Sequence, residues 1–236
     1  VDIRAASFFY FCLFVVVFDM DSFDDQITSE CERCGTCCKK GGPALHTEDK
    51  QIIDQGGIPL TSLYTIRKGE LAWDNVSESL ICLGAEIIKI KSRPDSSVCM
   101  YFNDANMSCG IYDSRPLECR TLECWNSAKI AAIYAQDRLT RALVLEKIVW
   151  LKDLVKTHES ECDLDRIQNL VNDREAGIAD AASALTGMIN YDFHLRSVVT
   201  EKGNIAPDML DFLFGRPLNE IISRQFKIKI QKSKSE

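Results

Sequence analysis

CERCGTCCKK, Cys31–Lys40, places four cysteines in ten residues, and the last two are adjacent. A disulfide knot, a metal site and a reactive thiol pair would each crowd cysteines in this way. Spacing separates them. A C-x-x-C step lets the chain turn sharply and aim two sulfurs at one centre, as zinc sites do. Two consecutive steps, Cys31 to Cys34 to Cys37, aim three thiolates at one centre, the arrangement bacterial ferredoxins use for iron–sulfur clusters. Gly35, inside the loop, permits a tight turn and a close backbone approach. Cys38 departs from both templates, because the ferredoxin run needs three intervening residues before its fourth cysteine. Adjacent side chains diverge, so Cys37 and Cys38 are not expected to share one tetrahedral zinc. One of them is expected to serve a second centre or to stay free.

Remote ligands are available. Cys99, Cys109 and Cys119 follow with nine residues between successive members, and Cys124 comes shortly after. Of the 11 cysteines in the chain, only Cys12 and Cys162 lie outside residues 30–125. Cys12, Cys82 and Cys162 fit no ligand spacing and are expected to be buried as small apolar side chains. Arg33, Lys39, Lys40, Arg115 and Arg120 flank the cysteines, and cations there are expected to lower thiol pKa and screen an anionic site. His46 could be a ligand, but a cap or loop role is expected of it. His158 and His194 are expected to be ordinary core or surface residues.

The 236 residues suffice for one or two domains with a sizeable core, and 46% hydrophobic with 27% charged residues is the balance of an ordinary globular protein. Such a chain need not depend on disulfide staples. The net charge of −7 argues against a general nucleic-acid binder, which would show a basic stripe. Phe8 to Phe18 is an unbroken apolar run, too short to span a bilayer and followed by no small-x-small cleavage site. Residues 1–19 are therefore read as a start assigned ahead of Met20 or as an apolar leader, and no membrane role is expected. In a reducing cytoplasm, the expected location, clustered cysteines point to metal or thiol chemistry rather than disulfides.

Pattern places an α+β chain: a small cysteine-rich module over residues 20–125, with a β-hairpin and short helices, then an all-helical module over 126–226 and a polar tail over 227–236. In the first module, Thr47 is expected to cap a helix in EDKQIIDQ, closed by Gly56 and Gly57. LTSLYTIRKG reads as a second helix, ending in Arg67, Lys68 and Gly69. AEIIKIK reads as a strand, and SVCMYF and MSCGIY as the arms of a hairpin. Ser114 and Pro116 open a further helix that carries Cys119 and Arg120. In the second module, apolar residues at helical spacing mark IAAIYAQ, the run from Thr140 to His158, DLDRIQNLV, GIADAASALTGMIN, YDFHLRSVV, PDMLDFLFG and residues 218–226. Trp150 is expected in helix core. A protein partner, if one exists, is expected to use the helical half.

CERCGTCC, followed by CMYFNDANMSCGIYDSRPLECR, resembles the CxxCxxCC cysteine-cluster family, which is named for zinc or iron chelation. The family pattern C-x-x-C-G-x-C-C falls on Cys31, Cys34, Gly35, Cys37 and Cys38. A C-x-[FY] segment falls on Cys99. C-x-[IV]-Y-x-x-R-P-x-x-C-R falls on Cys109, Ile111, Tyr112, Arg115, Pro116, Cys119 and Arg120. Cys124 and Trp125 go beyond that pattern, and the helical half has no counterpart in it. The resemblance implies metal chelation by Cys31, Cys34, Cys37, Cys38, Cys99, Cys109, Cys119 and Cys124. The cofactor is then an iron–sulfur cluster, 4Fe-4S among the forms allowed, or zinc, with electron transfer, metal handling or a structural clip as the role. One branch of the family is similar to flagellin lysine N-methylases, so an S-adenosylmethionine-dependent enzyme is the alternative. The chain has no strand-linked glycine-rich loop to support it. A thiol oxidoreductase is the third reading.

Overall fold

The structure, a computed structural model, describes residues 31–228, so the apolar leader with Cys12 and most of the lysine-rich tail lie outside the described residues. The fold is α+β. In chain order the helices are α1 (Thr36–Lys39), α2 (Lys50–Asp54), α3 (Leu117–Thr121), α4 (Ala128–Ile133), α5 (Arg141–Val144), α6 (Val149–Glu161), α7 (Leu164–Glu175), α8 (Ala181–Glu201), α9 (Leu210–Phe214) and α10 (Leu218–Phe226). The strands are β1 (Leu63–Ile66), β2 (Leu71–Asp74), β3 (Ser79–Cys82), β4 (Ile87–Ile90), β5 (Phe102–Asn103) and β6 (Ser108–Cys109). They pair as three separate antiparallel ribbons, β1 with β4, β2 with β3 and β5 with β6.

LTSLYTIRKG does not form the helix expected of it. Leu60–Ser62 is a single 3-10 turn, and the next four residues are β1. Leu, Tyr, Thr and Ile suit a pleated surface, and Leu63 pairs with Ile90 while Ile66 pairs with Ile87. Tertiary pairing thereby overrides the local helix-stop signal of Arg67, Lys68 and Gly69. The helix expected in EDKQIIDQ forms as a 3-10 turn, Thr47–Asp49, running into α2, but its cap is His46 and not Thr47. The hairpin around Cys99 and Cys109 also forms, with arms of only two residues, and Cys99 lies ahead of β5. Missed altogether was the β2–β3 ribbon. Its outer face carries Leu71, Trp73, Leu80 and Cys82, with Trp73 59% and Leu80 65% exposed. Cys82 is thus exposed rather than buried.

Among the described residues, one apolar core joins the first half to the helical half. Leu45, Ile58, Leu63, Ile88 and Ile90 meet Leu139, Leu145, Leu151, Val155 and the Phe212–Phe214 segment. Helix α9 lies on β1, where the Thr65 hydroxyl donates to the Phe212 carbonyl at 2.7 Å. Each large side chain taken out of water here contributes roughly 1.5–3 kcal/mol. A second core joins Leu164, Ile167 and Val171 of α7 to Leu185 and Met188 of α8 and to Leu218, Ile221 and Ile222 of α10. Helix α8 is one uninterrupted element where two were expected. Ala181, Leu185, Met188, Asp192, Arg196 and Val199 stay on one buried stripe, and nothing between Asn190 and Tyr191 breaks it. Trp150, in the first turn of α6, is 58% exposed rather than core, because Leu151 and Val155 occupy the inward stripe.

Charged side chains lock the helical half to the β1–β4 ribbon. Arg67 and Arg141 are both nearly inaccessible and share the Glu159 carboxylate, and Arg141 also holds Glu86. Asp192 accepts from His158 at 2.7 Å, from Arg196 at 2.9 Å and from the Leu218 amide at 2.9 Å. That one carboxylate ties α6, α8 and the start of α10.

Candidate metal centre

Two sulfur-bearing segments meet in the first half. In the first, Gly35 adopts φ +75° ahead of α1. A β-carbon there would lie 2.2 Å from the ring of Phe102, so only glycine lets the cysteine loop settle on β5. Helix α1 then carries Cys37 and Cys38. The second segment arrives through a backbone rung: the Cys99 amide donates to the Cys38 carbonyl at 2.8 Å. Beyond it, Phe102 pairs with Cys109 across the β5–β6 ribbon.

The third contributor, α3, is held from outside. Ser114 does not cap it. Instead the Leu117 amide donates to Asp49 Oδ1 at 2.8 Å, while Asp49 Oδ2 accepts from the His46 amide at 2.9 Å. Glu118, next to Cys119, accepts from the Ala44 amide at 2.7 Å and from Arg138 at 2.8 Å. The His46 ring is fully engaged, donating from Nδ1 to the Gln136 carbonyl at 2.8 Å and lying 3.5 Å from Glu118 through Nε2. His46 is a cap and brace, as expected.

Cys37 and Cys38 do not diverge. Their sulfurs are 3.9 Å apart, close to the roughly 3.8 Å between two sulfurs on one tetrahedral zinc with Zn–S of about 2.3 Å. Adjacency therefore does not bar the pair from one ion.

The thiols act on one another. Burial pushes Cys38 up to about 12, reinforced by Cys37 and by the charges of Cys99 and Cys109. Burial raises Cys119 further, reinforced by Cys99, Cys38, Cys37 and Cys109. Cys99 is raised by burial, with Cys109 and Cys37 adding to it. Cys124 is raised too, by burial and then by Cys37, Cys31 and Cys34. Cys34 alone moves down, because Thr36 bonds its sulfur at 3.2 Å. Cys37, Cys38, Cys99, Cys109 and Cys119 thus lie in electrostatic range of one another, Cys124 lies in range of Cys37, Cys31 and Cys34, and none of the eight is in a disulfide.

The flanking cations do not offset this. Arg33 and Arg115 both stack on the ring of Tyr112, at 4.3 and 3.6 Å, and Arg115 donates to the Tyr112 carbonyl instead of pairing with Asp113. Arg120 pairs with Glu48. Arg93 acts to lower Cys99 but burial outweighs it, so the crowded sulfurs favour the protonated form, and a bound cation would favour thiolates.

Three donors of different elements also meet outside this region. Among the described residues, the only ligand atoms found within 4.8 Å of one another as a trio belong to His158, Cys162 and Asp192, all buried. The spacing His158-x-x-x-Cys162, one helical turn, was the available signal for the first two. Asp192 is already satisfied there by Arg196 and by two other donors.

Residues 30–140 match the family model CxxCxxCC, described as "Putative zinc- or iron-chelating domain". No curated protein and no solved structure matches the chain.

Proposed function

Because residues 30–140 match the CxxCxxCC family model, we propose that Cys31, Cys34, Cys37, Cys38, Cys99, Cys109, Cys119 and Cys124 hold metal as thiolates, iron in an iron–sulfur cluster first and zinc as the alternative. The observation that carries this reading is the convergence of the 31–38 and 99–124 segments through the rung between Cys99 and Cys38, with sulfurs near enough to raise one another. An all-sulfur donor set selects zinc or iron over magnesium or calcium. Among the described residues, no three of these sulfurs lie within 4.8 Å of one another. Four sulfurs around a single zinc ion would all be about 3.8 Å apart, whereas a cage of iron and sulfide holds its cysteines wider. The cluster is placed first because three cysteines at successive x-x spacing, with further thiols nearby, suit one.

An iron–sulfur cluster would supply one-electron transfer, and zinc would supply a structural clip. The chain's own part is to hold two segments in register through the Cys99 rung, to seat Phe102 on Gly35, and to fix α3 through Asp49 and Glu118. Among the described residues, no helix is long and apolar enough to cross a membrane.

Anaerobic purification followed by elemental analysis and a visible spectrum tests the reading. Iron with sulfide and a brown colour is the expected result. Zinc in a colourless sample would establish the alternative, and protein without metal, never exposed to oxygen or chelator, would overturn both.

A further inference from the structure

Trp150 does not stand alone in water. It closes the run Ile148-Val149-Trp150, three consecutive apolar residues that are 40%, 58% and 58% exposed. Such runs are out of place on a surface unless they meet something. We propose that this tip docks on a lipid surface carrying anionic headgroups. The contact is peripheral, so it needs no spanning helix, and it is independent of the metal-binding reading above.

Shape argues for a fluid partner. Glu146 to Trp150 are five consecutive exposed residues in the turn that joins α5 to α6. The Ile148 amide donates to the Leu145 carbonyl at 2.9 Å, which brings the chain tightly round into the helix. Successive helical residues point about 100° apart. Leu151 takes the inward direction, and both it and Leu145 belong to the core. Ile148, Val149 and Trp150 therefore cover the end of the helix instead of lining one side of it. A partner with a rigid flat face would cover only part of such a tip, whereas lipid closes round it. The β2–β3 ribbon is built differently. Its exposed Leu71, Trp73, Leu80 and Cys82 share one face, and Asp74 and Glu78 at its turn would be repelled by anionic headgroups.

Charge argues for the headgroups. Lys147 precedes the apolar run, and Lys152 and Lys156 follow it one helical turn apart. Among the described residues, the lysines in salt bridges are Lys50, Lys68, Lys91 and Lys129, so these three are left over. Glu146 is already paired with Lys50 at 3.2 Å, and the first turn of α6 holds no acidic residue. The remaining acid between Glu146 and Lys156 is Asp153, so cations prevail locally in a chain whose net charge is −7. A tryptophan with aliphatic neighbours and flanking lysines suits the membrane interface, where the ring sits at headgroup level and the ammonium groups reach the phosphates.

Vesicle co-sedimentation of the full chain tests the proposal, with phosphatidylcholine alone and with phosphatidylserine added. The chain should bind the anionic vesicles and be released by salt. Trp150→Ser should weaken partition about tenfold, and Lys147→Gln and Lys152→Gln about fivefold each, on anionic vesicles only. Trp73→Ser, on the ribbon, should leave binding unchanged. All of these side chains are at least partly exposed, so circular dichroism should show the variants folded. Trp150→Phe keeps the tip apolar: it should still bind, while losing much of the quenching of tryptophan fluorescence by brominated lipid. No binding of wild type to anionic vesicles would overturn the proposal. So would binding that Trp150→Ser and Lys147→Gln leave intact, or quenching undiminished in Trp150→Phe, since either places the contact elsewhere on the chain. Self-association lost in Trp150→Ser, without vesicle binding, would overturn it in favour of a second copy as the partner.

Discussion

The two halves handle charge in opposite ways. Where the helical half meets the β1–β4 ribbon, buried charges have counterparts within the chain: Arg67 and Arg141 share Glu159, Arg141 also holds Glu86, and Asp192 holds Arg196 and accepts from His158. In the cysteine half thiols crowd together, and the flanking Arg33, Arg115 and Arg120 are engaged by Tyr112 and Glu48. The first region pairs its buried charges as folded. On the proposed metal-binding reading, the second does so when metal is bound. Folding and metal loading are therefore expected to be linked in one half and independent in the other.

The largest effect that could break this contrast is metal removal. A structural metal contributes on the order of 10 kcal/mol to a small domain. Chelation should strip amide protection from residues 31–40 and 99–124 while α6, α8 and α10 keep theirs in hydrogen exchange. Equal loss across both halves would erase the distinction. Next comes Asp192→Ala, which leaves Arg196 and His158 buried without their partner. It should cost about 3–5 kcal/mol in denaturant unfolding and leave metal content unchanged.

Gly42→Ala and Gly35→Ala probe the other half. An added β-carbon meets the Ile90 carbonyl oxygen at 2.2 Å in the first, and the Phe102 ring at 2.2 Å in the second. Losses of about 1–3 kcal/mol are expected. Gly42 should be the worse, because a backbone carbonyl yields less than a ring. Metal content should fall for Gly35→Ala.

The halves should also fail at opposite ends of the pH scale. Burial pushes the Glu159 carboxyl up, but Arg67 and Arg141 more than reverse this. Burial likewise opposes Asp192, and the His158 bond and Arg196 outweigh it. Both groups end below their ordinary values. Their contribution is present above the unfolded carboxylate range of about 4 and is lost as pH falls below it. In metal-free protein the Cys38 thiol is raised from 9.0 to about 12. The unfolded chain then gives up its proton first, so stability is full below pH 9.0 and falls as pH rises toward about 12. Thermal melts across pH, with and without metal, would show the alkaline limb move when metal binds; an unchanged limb would contradict the contrast. The smallest effect is expected from Trp73→Ser on the exposed ribbon face, within about 0.5 kcal/mol.

Local pattern carried much of this. Cys31 to Cys38 and the later cysteines could be read as one site because their spacing is chemical and does not depend on fold. The stripe of α8 and the turn at Gly56 are also local. What escaped was non-local. β1 is a strand only because Ile87–Ile90 returns beside it, and Trp150 is outside only because Leu151 and Val155 claim the core side. The brace on α3 could not be foreseen either, since Asp49 and Leu117 are far apart in sequence and nothing local predicts that one caps the other. The closeness of Cys37 to Cys38 depended on backbone conformation after Gly35, and the rule that neighbours diverge misjudged it.

Asp49 has one further consequence. With one oxygen on the His46 amide and the other on the Leu117 amide, it staples the start of α3 to the end of the first cysteine segment. Everything from β1 to β4 is then an excursion between two fixed points. Lengthening such a loop costs only about 0.6 kcal/mol per doubling. The β2–β3 ribbon is thus a place where this scaffold can accept a foreign insert, or lose its own, without disturbing the spacing of the sulfurs.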